Sequence, residues 1–405
     1  MEPFSAYQRR LLAFLGVATF FEGYDMFALA QVLPNLRETL HVSRAGAGWM
    51  LAAINAGTVI AYLLVRLADR IGRRRVLSIT IVGYALSSLA SAFAPNAWVF
   101  TALQCLARVF LIGEWAVAMV IAAEEYPAAR RGTVLGVLQA CSSLGGIVCA
   151  GVVPLLLRTP FGWRAVFAVG SVPLAIMAVA RRGLRETRRF EARDATSVAQ
   201  VGGMIDTLRS PSRVRILQLA AIWFLTYVCT QNAVTFWKEF AVAERGFSDA
   251  AVGGAITVAA LASMPLVFLA GRLLDAVGRR RGGAVIYATL VCGVFGAYSL
   301  HGRAALTAAL ALAVFGSSAF FAVLNAYSTE LFPTERRAAA FAWSNNLLGR
   351  IGYVLSPPVV GFAAERAGWG AAVRSTTVFP LLALVLLLLW MPETRGRELE
   401  DTAGA

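Results

Sequence analysis

The sequence predicts an all-α membrane protein in which twelve transmembrane helices form two pseudo-symmetric six-helix bundles. Three observations lead to this fold class. The chain of 405 residues is 58% hydrophobic and only 15% charged, whereas soluble domains carry about 25% charged residues. Twelve long apolar stretches follow one another along the chain, and two loop motifs recur at a single fixed offset.

Each apolar stretch has the length that a helix needs to cross the hydrocarbon core of a bilayer, roughly 17 to 25 residues. Only helices and closed barrels satisfy their backbone hydrogen bonds in lipid, and stretches this long and uniformly apolar favour helices. The predicted spans are residues 11–36, 47–67, 76–94, 97–122, 132–157, 163–181, 214–238, 250–273, 283–300, 304–328, 338–363 and 371–391.

Positive charge predicts the orientation of these spans. Most of the 37 Lys and Arg residues fall in alternate loops on one side, and cytoplasmic loops collect such residues. Both termini are therefore predicted to be cytoplasmic, in a multi-pass protein of the cell membrane, the inner membrane of a bacterium. Topology and anionic lipid headgroups account for the net charge of +14. The predicted partner is therefore the lipid bilayer, and no binding of nucleic acid is predicted.

An internal repeat predicts the domain organisation. The segment RLADRIGRRR at 66–75 returns as RLLDAVGRRR at 272–281, and EEYPAARRG at 124–132 returns as ELFPTERRA at 330–338, both 206 residues later. We expect a bundle over residues 1–181, an Arg-rich cytoplasmic linker over 182–213 and a second bundle over 214–405, functional as a monomer. Transporters built from two such halves bind their cargo near the midplane and alternate access to it.

These motifs resemble the signatures of the major facilitator superfamily. The resemblance rests on RLADRIGRRR, on RVFLIGEW followed by EEYPAARRG, on ELFPTERR and on PETRGRELE, and it covers nearly the whole chain. EGYDMFALAQVLP is similar to the DGFD signature of the aromatic acid:proton symporters, with Glu22 where that pattern has Asp, and GEW is similar to the sialate and metabolite:proton symporters. The resemblance implies transport of organic carboxylates with protons and leaves the cargo open.

Two carboxylates inside the first span are candidates for proton coupling. Glu22 and Asp25 lie three residues apart, on one helix face, where an ionised side chain costs at least about 2.5 kcal/mol. Two carboxylates this close in a low dielectric cannot both ionise cheaply, so one is expected to hold a proton. The alternative is a static clamp to neighbouring helices or to an arginine.

Two arginines near the middle of their spans are candidates for binding an anion. Arg108 lies in the fourth span and Arg350 in the eleventh, and a guanidinium binds carboxylate through two hydrogen bonds. The alternative for Arg108 is that it neutralises Glu22 or Asp25. Arg350 has no such acidic partner in sight, because the C-terminal half has Gln231 and Asn232 in the span that corresponds to the first one. The predicted cargo-binding residues are Arg350, Arg108, Tyr24, Asn232 and Asn346.

Other polar residues in the spans are assigned less specific roles. Glu114 is six residues beyond Arg108, and it is predicted to be structural, with a proton relay as the alternative. Polar and aromatic residues at helix midpoints are expected to pack or to bond neighbouring helices, with lining of a cavity as the alternative: Tyr24, Asn55, Gln104, Gln139, Tyr227, Asn232, Asn325, Trp343, Asn345 and Asn346. The glycines of SSLGGIVCAG, residues 142–151, are expected to let helices pack closely.

The repeated loop motifs predict a cytoplasmic gate. Acids and arginines at equivalent positions in both halves suit salt bridges that hold one conformational state, with simple loop anchoring as the alternative. The predicted gate residues are Asp69, Arg73, Glu124, Arg131, Asp275, Arg279, Glu330 and Arg337. Gly72 and Gly278 are expected to permit the tight turn inside the first motif.

No pattern in the sequence favours an enzyme. The two histidines, His41 and His301, fall in predicted external loops, and there is no catalytic triad, phosphate-binding loop or metal-ligand spacing, so no metal or cofactor is predicted. The five cysteines lie inside predicted spans and are expected to be small apolar residues. The sequence thus predicts proton-coupled uptake of a small organic anion. A proton-antiport exporter of drugs or metabolites and a non-transporting sensor remain the alternatives.

Overall fold

The computed structural model describes residues 4–180 and 202–395, and within these ranges the chain is helical, with no β-strand. Helices lie on each of the twelve predicted spans, which confirms the predicted all-α membrane fold. Eight stretches of the described residues are long and apolar enough to cross a membrane by themselves, and the last of them, 339–390, contains two predicted spans.

Six helices precede the predicted linker. Their bounds are α1 Ala6–Thr39, α2 Arg44–Ile71, α3 Arg73–Ser91, α4 Ala97–Glu125, α5 Ala128–Leu156 and α6 Trp163–Ala180. The first helix begins in a capping box, because the Ser5 hydroxyl accepts from the Gln8 amide and the Gln8 side chain accepts from the Ser5 amide. This arrangement satisfies two of the backbone donors that a helix start leaves unbonded.

Residues 182–201 of the predicted linker lie outside the described residues, and the first of the remaining helices lies within the rest of the linker. Their bounds are α7 Gly202–Arg209, α8 Arg213–Thr235, α9 Trp237–Arg245, α10 Asp249–Val277, α11 Arg279–Ala297, α12 Arg303–Glu330, α13 Thr334–Phe341, a π-helix Ala342–Gly349, α14 Arg350–Ser375 and α15 Val378–Trp390. Helix α14 contains a kink at Gly368, whose φ is +80°.

Backbone contacts divide the described chain into two compact units. The first unit contains residues 4–42 and 53–180, and the second contains residues 43–52 and 202–395. The start of α2 therefore belongs to the second unit, where the Arg44 guanidinium donates to the Ala364 carbonyl at 2.8 Å and the Glu365 carboxylate accepts from the Ala45 amide at 3.0 Å.

Close packing of α1 against α5 organises the first unit. A Cβ on Gly23 would lie 1.8 Å from the carbonyl oxygen of Ser142, and a Cβ on Gly145 would lie 1.8 Å from the carbonyl oxygen of Phe20. Because both neighbours are backbone atoms, the helices can approach this closely only where glycine stands. The predicted packing role of the glycines in SSLGGIVCAG is therefore confirmed at Gly145.

An aromatic core organises the second unit around α8. Trp223 and Tyr227 lie on consecutive turns of this helix, are 0% and 5% exposed, and stack with their ring centroids 5.4 Å apart. Phe320 of α12 packs edge-on against both rings. Aromatic packing thus connects α8 to α12.

Three predicted spans depart from a single α-helix. The span 371–391 is interrupted between the end of α14 at Ser375 and the start of α15 at Val378. The span 214–238 breaks at Phe236, so α8 ends and the short helix α9 begins there. The span 338–363 contains the π-helix, which ends at Gly349. A Cβ on Gly349 would meet Trp223 Cβ at 2.6 Å and the Ser344 carbonyl at 2.7 Å, so the close approach of α8 accompanies the widened turn. Apolar periodicity alone contains no signal for such a bulge.

Candidate functional site

The acidic pair predicted from the sequence is buried in the first unit. Glu22 and Asp25 of α1 are 8% and 6% exposed, in a helix that packs against α5. The Ser142 hydroxyl of α5 donates to Glu22 Oε2 at 3.1 Å. Asp25 Oδ1 is buried without a hydrogen-bond partner among the described residues. The two carboxyl groups thus have different surroundings although they share one helix face.

Arg108 of α4 supplies positive charge to this pair. Its guanidinium interacts electrostatically with both Glu22 and Asp25, and its Nη1 donates to the Met26 sulfur. Arg108 is 8% exposed, and the described residues offer it no direct ion pair. The arginine therefore offsets the charge of the acidic pair from a distance, without the two hydrogen bonds of a static clamp.

Two further groups extend the cluster, and the sequence identified only one of them. Glu114 of α4 is 2% exposed, and its Oε1 has no hydrogen-bond partner within the described part of the chain. The Tyr84 hydroxyl of α3 interacts with Asp25, Glu22 and Glu114. Sequence reasoning missed Tyr84 because a lone tyrosine in an apolar helix carries no signal of what it faces.

The first unit therefore contains a buried cluster of Glu22, Asp25, Tyr84, Arg108 and Glu114. Glu22 and Asp25 share the Arg108 guanidinium, and Glu114 interacts with Glu22. The region has a low dielectric, where like charges at short range are costly. Such a cluster can change its net charge by taking up and releasing protons while its backbone stays in place. Tyr24 lies beside it, 4% exposed, with its ring against Gly170 of α6.

Arg350 lies in the second unit among aromatic side chains. It interacts electrostatically with Tyr227, whose hydroxyl donates to Asn345 Oδ1 at 2.8 Å. Tyr353 packs edge-on against Tyr227, with ring centroids 5.6 Å apart. Arg350 has no ion pair with a described residue, and its Nε is buried without a hydrogen-bond partner there. A guanidinium in this setting can accept a carboxylate from outside the protein.

The other predicted cargo-binding residues of this unit have different surroundings. Asn232 is fully buried, and its Nδ2 donates to Ser356 Oγ at 2.8 Å and to the Val228 carbonyl at 2.6 Å, which ties α8 to α14. Asn346 is half-buried in the π-helix. Tyr227 and Asn345, which the sequence identified only as polar midpoint residues, lie beside Arg350 instead.

The predicted gate residues form the same ion pair in both repeats. Arg73 Nη2 lies 3.3 Å from Glu124 Oε1, and Arg279 Nη2 lies 2.9 Å from Glu330 Oε1. Arg279 Nη1 also pairs with Asp275 Oδ1 at 2.9 Å. Each pair joins the start of one helix to the end of another within its own unit. The side chains of Asp69 and Arg131 lie outside the described residues.

The C-terminal PETRG motif adds a second layer of contacts to the pair in the second unit. The Glu393 carboxylate accepts from the backbone amides of Arg279 at 2.7 Å and Arg280 at 3.0 Å, and the Thr394 hydroxyl donates to Glu330. Gly278 has a φ of +94°, and a Cβ there would lie 2.5 Å from Glu393. Gly72 has a φ of +104°, so the predicted need for glycine in both turns is confirmed.

The remaining loop arginine and the cysteines have simple structural surroundings. Arg337 Nη2 donates to the Phe332 carbonyl at 3.3 Å, a contact within its own loop. None of the five cysteines, all of which lie in the described part of the chain, forms a disulfide, and Cys149 and Cys229 are buried.

A chain that combines an all-helical membrane fold, a repeated six-helix sequence pattern and buried charges has the features of a secondary transporter. The family model of the Major Facilitator Superfamily matches residues 15–302 and, in a second match, residues 219–404. The chain belongs to this superfamily. It is therefore a multi-pass membrane transporter of small molecules and not an enzyme.

Named relatives and solved structures agree with this assignment. The chain is 27% identical to the gallate transporter of Pseudomonas putida, over 96% of this chain and 92% of that protein. It is 25% identical to the niacin transporter NiaP of Acinetobacter baylyi, over 98% and 97% of the two chains. The inward open structure of the xylose transporter XylE from Escherichia coli matches with a TM-score of 0.80 at 18% identity, over 98% and 99%.

Proposed function

We propose that this protein imports a small organic carboxylate that carries an aromatic ring, and that protons accompany the cargo. The observation that carries the proposal is Arg350, a half-buried guanidinium that has no acidic partner among the described residues and interacts electrostatically with Tyr227. A cation in such a position is costly without an anion. The cargo carboxylate supplies that anion when it binds.

The aromatic character of the cargo is inferred from the residues beside Arg350. Tyr227 presents a ring that Trp223 stacks against from one side, and Tyr353 meets it edge-on. Aromatic pairs prefer such stacked or edge-to-face arrangements and gain about 0.5–1.5 kcal/mol from them. The names of the gallate and niacin transporters, two relatives of this chain, are consistent with a ring-bearing carboxylate.

Proton coupling is inferred from the charge balance of the buried cluster in the first unit. Glu22, Asp25 and Glu114 cannot all be ionised cheaply beside a single guanidinium. A proton that neutralises one carboxyl group makes the cluster less costly to bury, and its release on the other side of the membrane regenerates the charge. Without a nucleotide-binding motif in the sequence, an ion gradient is the energy source that remains.

Flux measurements in proteoliposomes test this function. Vesicles that contain a pH-sensitive dye and an acidic outer buffer are given radiolabelled benzoate or pyridine-3-carboxylate. We expect accumulation of the label together with acidification of the lumen. Arg350→Gln should raise KM by about 10-fold to 100-fold, which corresponds to the loss of about 1.5–3 kcal/mol from hydrogen bonds to a charged group.

Arg374→Gln is the matched control, because it removes the same charge from an exposed position on α14. Its KM should equal that of the parent protein. Unchanged carboxylate uptake by Arg350→Gln would refute the assignment of the anion site. Proton efflux triggered by an external cation, without carboxylate uptake, would instead identify an exporter. Binding without flux would identify a sensor.

A further inference from the structure

The π-helix brings two side chains of the second unit to one face. The backbone amide of Arg350 donates to the Asn345 carbonyl, a bond between residues five apart that defines a π-turn. In a regular α-helix, residues five apart point about 140° away from each other. The wider π-turn reduces this angle, so Asn345 and Arg350 lie closer to one face and can contact the same group.

Both side chains do meet the same residue. The Tyr227 hydroxyl donates to Asn345 Oδ1 at 2.8 Å, and Arg350 interacts electrostatically with Tyr227. The rings described above pack around Tyr227, and Phe321 also meets it edge-on at a centroid distance of 6.2 Å. The π-turn thus builds a guanidinium, an amide and a set of aromatic rings into a single site.

The bond from Tyr227 determines which atoms of Asn345 remain to be used. An Asn side chain has one accepting oxygen and an NH₂ group with two hydrogens to donate. Its oxygen accepts from Tyr227 at 2.8 Å, and its nitrogen makes no hydrogen bond with any described residue. The two amide hydrogens are therefore the donors that a bound cargo can use.

We infer that Asn345 is a specificity-determining residue, whose amide nitrogen donates to an acceptor atom on the ring of a cargo that Arg350 holds by its carboxylate. This inference rests on the proposed function. The cargo class is an aromatic carboxylate that has a nitrogen in its ring or an oxygen attached to it. Such a cargo is preferred over one whose ring has no further polar atom. Tyr227 is a positioning residue, because it orients the amide.

Competition among three carboxylates tests the inference. Benzoate has no ring acceptor, pyridine-3-carboxylate has only an acceptor, and 3-hydroxybenzoate can both accept and donate. The parent protein should prefer the two polar rings over benzoate. Asn345→Asp keeps the shape of the side chain and the bond from Tyr227 but removes both donor hydrogens. We expect it to lower uptake of pyridine-3-carboxylate about 10-fold relative to benzoate and to retain that of 3-hydroxybenzoate.

Taking each rate relative to benzoate removes any general effect of the new negative charge on Arg350. Gln218→Glu is the matched control, since it makes the same change from amide to carboxylate on α8, where the side-chain oxygen accepts from Arg215 at 3.3 Å, and it should leave the ratios as they are. An unchanged pyridine-3-carboxylate to benzoate ratio in Asn345→Asp would overturn the inference. Loss of this preference in Gln218→Glu to the same extent would overturn it as well.

A second variant keeps the test decisive if Asn345→Asp does not fold. Tyr227→Phe removes the hydroxyl that orients the amide and retains the ring, so it should reduce the preference for pyridine-3-carboxylate, and an unchanged preference refutes the role of the pair. Failure of the proposed function is seen separately, as the absence of carboxylate uptake by the parent protein or full uptake by Arg350→Gln.

Discussion

Glu22, Asp25 and Glu114 show how three buried carboxyl groups can differ at the scale of single residues. Glu22 accepts a hydrogen bond from Ser142, whereas Asp25 Oδ1 and Glu114 Oε1 have no such partner among the described residues. A carboxylate that lacks hydrogen bonds is the costliest to ionise in a low dielectric. Within the proposed mechanism, Asp25 and Glu114 are therefore the two candidates for the group that exchanges its proton during transport, and Asp25 is tested first because it also interacts with Arg108.

Replacement of the Asp25 carboxyl group by an amide, which cannot take up or release a proton, should uncouple transport from the pH gradient. In Asp25→Asn we expect cargo exchange across the membrane to continue, while acid-driven accumulation falls to the level seen without a gradient. One proton crossing one pH unit supplies about 1.4 kcal/mol, or tenfold accumulation, so the loss is about tenfold at that gradient. Steady-state accumulation and exchange are both measured with labelled cargo in proteoliposomes.

Asp206→Asn is the matched control for this change, because Asp206 is exposed on α7. Accumulation by this variant should equal that of the parent protein. If Asp25→Asn still accumulated cargo tenfold per pH unit, the coupling role would belong elsewhere in the cluster. Glu22→Gln and Glu114→Gln, measured in the same way, would then locate it.

At the scale of the helices, the packing of α1 against α5 makes a prediction about stability. Gly145→Ala places a Cβ 1.8 Å from the Phe20 carbonyl, and a backbone oxygen within the α1 helix cannot move aside cheaply. Overpacking of this kind costs about 1–3 kcal/mol, more than the roughly 1 kcal/mol by which alanine favours a helix over glycine. Thermal unfolding in detergent should show a lower Tm.

Gly151→Ala provides the comparison on the same helix. A Cβ at Gly151 meets nothing within 4 Å, so the substitution should leave the Tm unchanged or raise it. Equal Tm values for the two variants would contradict the close approach of α1 and α5.

Glu393, whose carboxylate contacts the start of α11, leads to a prediction about the pH dependence of stability. Partial burial acts to raise the pKa of Glu393, but hydrogen bonds from the backbone amides of Arg279, Arg280 and Arg395 outweigh it and hold the pKa below the ordinary value. A carboxylate at a helix N-terminus is also favoured by the helix dipole, by about 0.3–1 kcal/mol. Glu393→Gln should therefore lower the Tm by roughly 2–4 °C at pH 7.

The sign of the pH dependence follows from the lowered pKa. The carboxylate stabilises the folded chain above the ordinary Glu pKa of about 4.3 and loses this effect as the pH falls through its folded value. The Tm difference between parent and Glu393→Gln should stay constant from about pH 7 to pH 5 and disappear only in stronger acid. Glu38→Gln, an exposed substitution on α1, should show no difference at any pH.

At the scale of the whole molecule, the repeated ion pairs offer a comparison that the chain itself provides. Arg73 with Glu124 and Arg279 with Glu330 occupy equivalent positions 206 residues apart. The pair in the second unit has additional contacts from Asp275 and Thr394. Glu330→Gln should therefore slow transport and lower the Tm more than Glu124→Gln does, because it disconnects more groups.

Exchanging the charges of Arg279 and Glu330 separates the effect of this ion pair from the effect of the neighbouring contacts. The double change Arg279→Glu with Glu330→Arg should recover part of the transport rate that each single change loses, and the double-mutant cycle gives the coupling between the two residues. No recovery in the double variant, or a greater loss in Glu124→Gln than in Glu330→Gln, would contradict the importance assigned to this network.

Much of the fold follows from the sequence because its causes are local. The hydrocarbon core demands long apolar helices, so composition and length predicted each span, and the chemical repeat predicted that Arg73 and Arg279 would serve equivalent places. The buried acids Glu22 and Asp25 were recognisable because a charge inside an apolar stretch is costly wherever the helix lies. The domain boundaries and the orientation in the membrane stay predictions.

Only the tertiary structure decided which of these residues meet. Tyr84 joins the acids, and Asn232 is committed to Ser356, because side chains from different helices come together at positions that apolar periodicity does not encode. The π-turn at Ala342–Gly349 is the clearest case. It accompanies the close approach of Trp223 to Gly349, and it brings Asn345 closer to the face of Arg350. The sequence by itself determined what kinds of residue lie in the membrane, because burial in lipid selects them one at a time, whereas their partnership arises from packing between helices.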